Sequence, residues 1–140
     1  MDLPQWQRAA AVAARQSGQI MLTIVVIEQD SVMRTLLCEW LESAGYAVRG
    51  LSLRATVAQA GVDLVIVDLL NVATQGAEAV EQVRSSYPGA ALIVISTQLS
   101  RSLPAGSPPS RSLGVSALVA KPCTRRELLE AVAGAIGAPR

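Results

Sequence analysis

The chain has 140 residues, of which 51% are hydrophobic, and its net charge is +1 from 12 basic and 11 acidic side chains. This length predicts one domain with a sizeable core, and the balanced charge gives no basic excess to neutralise nucleic-acid phosphates. Histidine is absent, which excludes imidazole bases, Ser-His-Asp triads and imidazole metal ligands. The two cysteines, Cys38 and Cys123, lack a metal-ligand spacing and are typical of reduced cytosolic thiols.

The most apolar runs are far too short to span a membrane, and the N-terminus lacks the pattern of a secretory signal peptide. We therefore expect a cytoplasmic protein that contacts neither a membrane nor nucleic acid directly. We expect one domain over residues 21–138. Residues 1–20 are expected to form an N-terminal extension, either a helix or a mobile tail. Met21 is an alternative start of the natural chain, and in that case residues 1–20 have little role.

Apolar β-branched runs alternate with helical patterns from residue 22 onward. The runs predict strands at five positions: 22–27, 46–48, 64–67, 90–95 and 117–120. Apolar stripes and cap residues predict four helices: one from Asp30 or Ser31 to Gly45, then 53–60, 76–86 and 124–136. The last helix opens with Thr124 and Glu127 at the spacing of a capping box.

Residues 97–113, TQLSRSLPAGSPPSRSL, break this alternation. They contain three prolines and five serines, and a Pro-Pro pair cannot lie in a helix interior. The segment therefore predicts a loop with one short turn near 109–113. Arg101 and Arg111 leave two interpretations open, which are a solvated loop and a contact with phosphate groups.

Strands that alternate with helices indicate a parallel sheet covered by helices on both faces. In such folds, ligands bind beyond the carboxyl ends of the strands. A polar residue follows the apolar part of four predicted strands: Glu28, Asp68, Ser96 and Lys121. Each alone is typical of a solvated loop, but together two carboxylates, a hydroxyl and an ammonium suit a hard cation and an anionic group.

The stretches IVVIEQDSVMRTLL, DLVIVDLL, ALIVIST and GVSALVAKP occur in this order along the chain. With them, residues 22 to about 136 resemble the receiver domain of bacterial two-component response regulators. The resemblance implies an α/β, flavodoxin-like three-layer sandwich. Its five-stranded parallel sheet has the order 2-1-3-4-5, with helices on both faces. The composition of residues 97–113 predicts that the family's fourth helix is short or lost.

The resemblance also implies roles at the strand ends. Asp68 matches the aspartate that accepts a phosphoryl group, and Lys121 matches the lysine that pairs with this group. Ser96 matches the hydroxyl that binds a phosphoryl oxygen. The family holds Mg²⁺ with an acidic pair, with the same aspartate and with a backbone carbonyl. The matching metal ligands in this chain are Glu28, Asp68 and the carbonyl of Leu70.

The chain departs from the family at Gln29, which lies at the position of the main metal-binding carboxylate when Arg34 fixes the register. An amide oxygen brings no charge. Loss of support around a metal ligand costs roughly 10–100-fold in affinity, so we expect weak Mg²⁺ binding. Asp30 either caps the first helix or substitutes for the missing carboxylate. Leu118 replaces the aromatic switch residue of many receivers.

Two functions are compatible with these residues. In the first, the chain is a single-domain response regulator that accepts a phosphoryl group on Asp68 from a histidine kinase or a phosphotransfer protein and signals to a downstream protein. Its enzymatic activity then extends at most to phosphoryl acceptance and autodephosphorylation. In the second, it is a pseudo-receiver that binds proteins independently of phosphorylation. The last helix is apolar over much of its circumference, so we also expect a homodimer through the last strand and helix.

Overall fold

The computed structural model describes Gln5 and residues 21–53, 58–103 and 106–137. The strands among these residues are, in chain order, β1 (Thr23–Ile27), β2 (Ala47–Leu51), β3 (Leu64–Asp68), β4 (Ala91–Ser96) and β5 (Ala117–Ala120). They form one parallel sheet in the order β2-β1-β3-β4-β5. The predicted topology is therefore confirmed.

Four helices are present in the part of the chain that the structure describes: α1 (Ser31–Ser43), α2 (Val72–Ser86), α3 (Pro108–Leu113) and α4 (Arg125–Ile136). On one face of the sheet, Leu41 of α1 and Leu128 of α4 pack with the strand residues Ile24 and Ile66, and together they form a first core cluster. On the other face, Ala79 and Val83 of α2 pack with strand residues such as Val65, and together they form a second core cluster. Helices on both faces make three layers, as predicted. None of the described helices is long and apolar enough to cross a membrane.

The register of the sheet brings the carboxyl ends of four strands to one edge. The central strands consist almost entirely of valine, isoleucine and leucine, because helices cover both of their faces. The last pairs of each ladder are Ile27↔Leu51, Ile27↔Val67, Asp68↔Ile95 and Ser96↔Ala120. The side chains that follow these strands therefore meet at one place.

β2 is longer than its sequence pattern predicts. It continues to Leu51 instead of ending at Val48, because it pairs with β1 over its whole length. This pairing offsets the weak strand preference of Gly50, which lies within it.

α2 begins at Val72 instead of Gly76. Asn71 caps it, since its side-chain oxygen accepts a hydrogen bond from the Thr74 amide at 3.1 Å. Val72 lies on the apolar face of the helix and packs against the core, but Gly76 has no side chain to continue the stripe from Val72 to Ala79, so the apolar pattern alone gives a start that is too late.

Residues 108–113 form a six-residue helix where a loop with one short turn is predicted. The Ser107 hydroxyl accepts a hydrogen bond from the Ser110 amide at 3.4 Å. The Pro-Pro pair occupies the first two helical positions. N–H groups at these positions have no partner within the helix, so proline costs no helical hydrogen bond there. Gly114 ends the helix with a φ of 74°. The family's fourth helix is therefore short in this chain.

Two predictions fall on residues that the structure does not describe. The predicted N-terminal extension over residues 1–20 lies outside the described residues apart from Gln5. The predicted helix over residues 53–60 includes residues 54–57, which also lie outside them. Residues 58–60 are described and are not helical.

The capping box at the start of α4 gives a test of the local fold. The Thr124 hydroxyl accepts a hydrogen bond from the Glu127 amide at 3.1 Å, and Glu127 Oε1 accepts one from the Thr124 amide at 3.3 Å. Because Thr124→Ala removes one cap, we expect the free energy of unfolding to fall by about 1 kcal/mol. Thr124→Ser keeps the hydroxyl and should resemble the wild type. Urea unfolding measures both variants, and an equal loss in the two would contradict the capping role.

Candidate functional site

Lys121, which follows β5, forms ion pairs with carboxylates from two other strands. Its Nζ atom lies 2.8 Å from Glu28 Oε2 and 3.0 Å from Asp68 Oδ1. The Glu28 side chain is only 2% exposed, whereas the side chains of Asp68 and Lys121 are 24% and 13% exposed. The structure thus brings three of the predicted site residues into direct contact.

The surroundings of Lys121 keep it protonated. Burial alone would lower the pKa of Lys121, but the hydrogen bonds to Glu28 and Asp68, together with their negative charges, outweigh burial and raise this pKa above its ordinary value. Two carboxylates around one ammonium leave the cluster with a net negative charge. The cluster therefore still attracts a cation.

Glu28 is held through both of its carboxylate oxygens. Oε2 accepts from Lys121, and Oε1 accepts a hydrogen bond from the Asp30 amide at 3.2 Å. The Asp30 side chain itself accepts from the Met33 amide at 2.9 Å and so caps α1. Of the two interpretations of Asp30, the structure shows the cap.

Ser96 is fully buried at the end of β4, next to Leu70. Its Oγ atom lies 3.5 Å from the carbonyl oxygen of Leu70, at the outer limit of a hydrogen bond, and accepts from the Gln98 amide at 3.1 Å. Its own carbonyl oxygen accepts from the Lys121 amide at 2.9 Å. The predicted hydroxyl and the predicted metal-binding carbonyl therefore lie together, and Ser96 ends the strand between those of Asp68 and Lys121.

Asp68 opens onto a cleft of roughly 270 Å³, whose lining includes Gln29, Leu70 and Gln75. Oδ1 of Asp68 is bonded to Lys121. In the part of the chain that the structure describes, Oδ2 accepts no hydrogen bond. One oxygen of Asp68 is therefore available to a ligand in the cleft.

The oxygen atoms around this cleft are of the type that a hard cation prefers. Of the residues that line the cleft, Asp68 supplies a carboxylate, and Gln29 and the backbone of Leu70 supply neutral oxygens. The buried Glu28 carboxylate is bonded to the same Lys121 ammonium as Asp68. Among residues 21–53, 58–103 and 106–137, no group of three or more His, Cys, Asp and Glu side chains could hold a metal ion. The donor types fit Mg²⁺, but only two carboxylates carry the negative charge, and both are paired with Lys121.

Arg34 positions the turn after β1, a role that its place in the sequence does not reveal. Its Nη1 atom donates to the backbone oxygens of Glu28 and Gln29 at 2.7 and 3.4 Å, so it fixes the turn that carries both side chains. Gly50 makes room for it, since a Cβ atom there would lie 3.0 Å from Arg34 Cγ and 3.0 Å from Cys38 Sγ. No local pattern reveals this contact, because it forms only when β2 and α1 pack together.

The chain matches a protein-family model. That model describes the response regulator receiver domain and matches residues 24–133, which include every predicted site residue. No curated protein matches the sequence.

Several solved structures share the fold. A response regulator from Thermotoga maritima has a TM-score of 0.63 at 20% identity, covering 85% of this chain and 100% of that one. A CheY-like receiver domain protein from Methanospirillum hungatei has a TM-score of 0.64 at 23% identity, covering 81% and 91%. A response regulator from Burkholderia pseudomallei, with a phosphorylated aspartic acid, a calcium ion and citrate, has a TM-score of 0.59 at 20% identity, covering 79% and 65%.

The burial of Glu28 makes the stability of the chain depend on Lys121. Lys121→Met leaves the buried carboxylate without its cation, so we expect the free energy of unfolding to fall by about 3 kcal/mol. Glu28→Gln/Lys121→Met leaves no buried charge at this position. The double variant should therefore be more stable than Lys121→Met alone, as measured by urea unfolding at neutral pH.

The control for this experiment is the ion pair between Arg126 and Glu130, whose side chains are 87% and 65% exposed. Arg126→Met breaks that pair and should leave the urea midpoint within experimental error of the wild type. Equal effects of Lys121→Met and Arg126→Met would contradict the structural role of Lys121.

Proposed function

This chain belongs to the response regulator receiver domain family, and on that premise we propose that Asp68 accepts a phosphoryl group from a histidine kinase or a phosphotransfer protein. Receiver domains take part in two-component signalling, generally bind Mg²⁺ and interact with such phosphodonors. The observation that carries the proposal is the contact between Asp68 and Lys121 at the cleft.

Asp68 supplies the nucleophile in this proposal. Its Oδ2 atom attacks phosphorus, a new O–P bond replaces the N–P bond of phosphohistidine, and the departing imidazole nitrogen takes up a proton. An anion that attacks an anion needs compensating charge. The Lys121 ammonium, 3.0 Å from Asp68 Oδ1, supplies part of it. Rotation of the Ser96 side chain away from the Leu70 carbonyl turns its hydroxyl into a donor to a phosphoryl oxygen.

We assign Mg²⁺ to Glu28, Asp68 and the carbonyl oxygen of Leu70. When bound, Mg²⁺ supplies further charge neutralisation at the phosphoryl group. Gln29 contributes no charge, and both carboxylates are already paired with Lys121, with which a cation must compete. The affinity for Mg²⁺ is therefore expected to be low.

The solved Burkholderia pseudomallei response regulator supports the proposal by analogy, because that protein carries a phosphorylated aspartic acid and a calcium ion. The alternative, an interaction module independent of phosphorylation, rests on Gln29, Leu118 and the short α3. Gln29 alters the cation site, whereas Leu118 and α3 alter the face of the sheet that packs against α2. They leave the contact between Asp68 and Lys121 intact, which favours phosphoryl acceptance.

Phosphorylation by acetyl phosphate in the presence of excess Mg²⁺ tests the proposal. We expect the intact mass of the wild type to increase by one phosphoryl group, and the mass of Asp68→Asn to stay unchanged. Asp30→Asn is the matched control, since asparagine also caps helices and Asp30 is a neighbouring carboxylate outside the assigned site. Asp30→Asn should be phosphorylated like the wild type. An unmodified wild type, or equal modification of Asp68→Asn, would overturn the assignment.

A further inference from the structure

β5 lies at an edge of the sheet and pairs with β4 along one side. The backbone groups on the outer side of an edge strand attract further strands unless charges, prolines or a cover block them. β5 has the sequence ALVA, which contains neither a charge nor a proline. Its outer edge is therefore suited to strand pairing unless something covers it.

Residues 99–103, here called the strap, cover this edge. Leu103 and Leu118 form an antiparallel bridge in which Leu103 N lies 2.7 Å from Leu118 O and Leu118 N lies 3.0 Å from Leu103 O. The Ala120 amide donates to Ser102 Oγ at 2.9 Å. The strap thus occupies outward-facing backbone groups of β5 that a further strand would use.

Few contacts hold the strap in place. Leu99 and Leu103 are only partly buried against the second core cluster, and Ser100 and Arg101 are exposed. A hydrogen bond contributes about 1 kcal/mol net, so loss of the bonds to β5 costs much less than global unfolding. The strap is therefore a segment that can open while the domain stays folded.

The hydrogen-bonding pattern at Leu118 is self-complementary. Two residues directly opposite each other in an antiparallel sheet exchange both of their hydrogen bonds, as Leu103 and Leu118 do. A second copy of the chain presents the same N–H and C=O groups at its own Leu118. A two-fold axis at this position therefore reproduces both bonds between two copies.

We propose that two copies of this chain pair through the outer edges of their β5 strands when the strap opens, and that the strap controls this pairing by covering the edge. Residues 117–120 carry no charged side chains, so two such edges meet without like-charge repulsion. Because the strap is tethered, its effective concentration is in the millimolar range. At protein concentrations below this value, the β5 edge is therefore occupied by the strap and not by a second copy.

This pairing differs from a dimer through the side chains of α4, because it uses the backbone hydrogen bonds of the β5 edge. The hydrogen bonds that carry this inference, between residues 102–103 and β5, involve no atom of Asp68. Failure of the proposed function would therefore leave this inference standing, and failure of this inference would leave the proposed function standing.

The double variant Ser102→Ala/Leu103→Pro opens the strap selectively. Alanine removes the acceptor of the Ala120 amide, and proline removes the N–H that binds Leu118 O. By analytical ultracentrifugation, we expect its dimer dissociation constant to be at least about tenfold lower than that of the wild type. Ser100→Ala changes an exposed strap residue and should match the wild type. A double variant that associates no more tightly than the wild type would overturn the proposal.

Amide hydrogen exchange identifies the pairing surface in the same variants. In dilute samples of the double variant, the amides of Leu118 and Ala120 should lose protection, and they should regain it as the dimer forms. Unchanged protection in the dilute variant, or a dimer whose Leu118 amide still exchanges freely, would overturn the proposal. If the double variant does not fold, the dimer dissociation constant and the amide protection are measured on Ser102→Ala instead. We expect a smaller decrease in the dissociation constant and a smaller loss of protection in the dilute sample, and the absence of both would overturn the proposal.

Discussion

The contacts of the Lys121 ammonium group are the ones on which the site depends, because they link the end of β5 to β1 and β3, neither of which is a neighbour of β5. Glu28 follows β1, Asp68 ends β3 and Lys121 follows β5, and the ammonium lies within 3.0 Å of an oxygen of each carboxylate. Exposed ion pairs contribute little to stability, but a buried carboxylate such as Glu28 requires its cation in the folded state. The contact that stabilises the carboxyl end of the sheet therefore also presents Asp68 to the cleft, with one carboxylate oxygen paired and the other available.

Charge balance at this edge determines what the site can bind. A cation in the cleft competes with Lys121 for Glu28 and Asp68, and Gln29 adds no charge that would offset this competition. The proposed phosphoryl group on Asp68 would add negative charge and give Lys121 a new partner, which would free the Glu28 carboxylate for a cation. Binding of Mg²⁺ and the presence of the phosphoryl group should therefore strengthen each other, and thermodynamic linkage requires the effect to be reciprocal. On this proposal, the cleft would suit a cation better with the phosphoryl group present than without it.

The strand ends could be predicted from the sequence because each carries a local signal. A β-branched run that stops at a polar residue placed Glu28, Asp68 and Lys121 at one edge, and parallel pairing follows from the alternation of strands with helices. The contact between Arg34 and Gly50 had no such signal, because it depends on the packing of segments that are separate in the sequence. The contacts of the strap with β5 could not be predicted either. Its composition is typical of a loop, and its bonds to β5 depend on an edge that exists only in the folded sheet.

The affinity of Mg²⁺ for the wild type and for Gln29→Asp, measured by amide NMR at the ends of β1, β3, β4 and β5, tests the charge balance most directly. Gln29→Asp restores a carboxylate at the cleft, so we predict binding at least about tenfold tighter than in the wild type. Beryllofluoride, which mimics an aspartyl phosphate, should tighten Mg²⁺ binding further in both proteins, whereas Asp68→Asn should not respond to it. Equal Mg²⁺ affinities of the wild type and Gln29→Asp, or no effect of beryllofluoride on either, would contradict this account of the site.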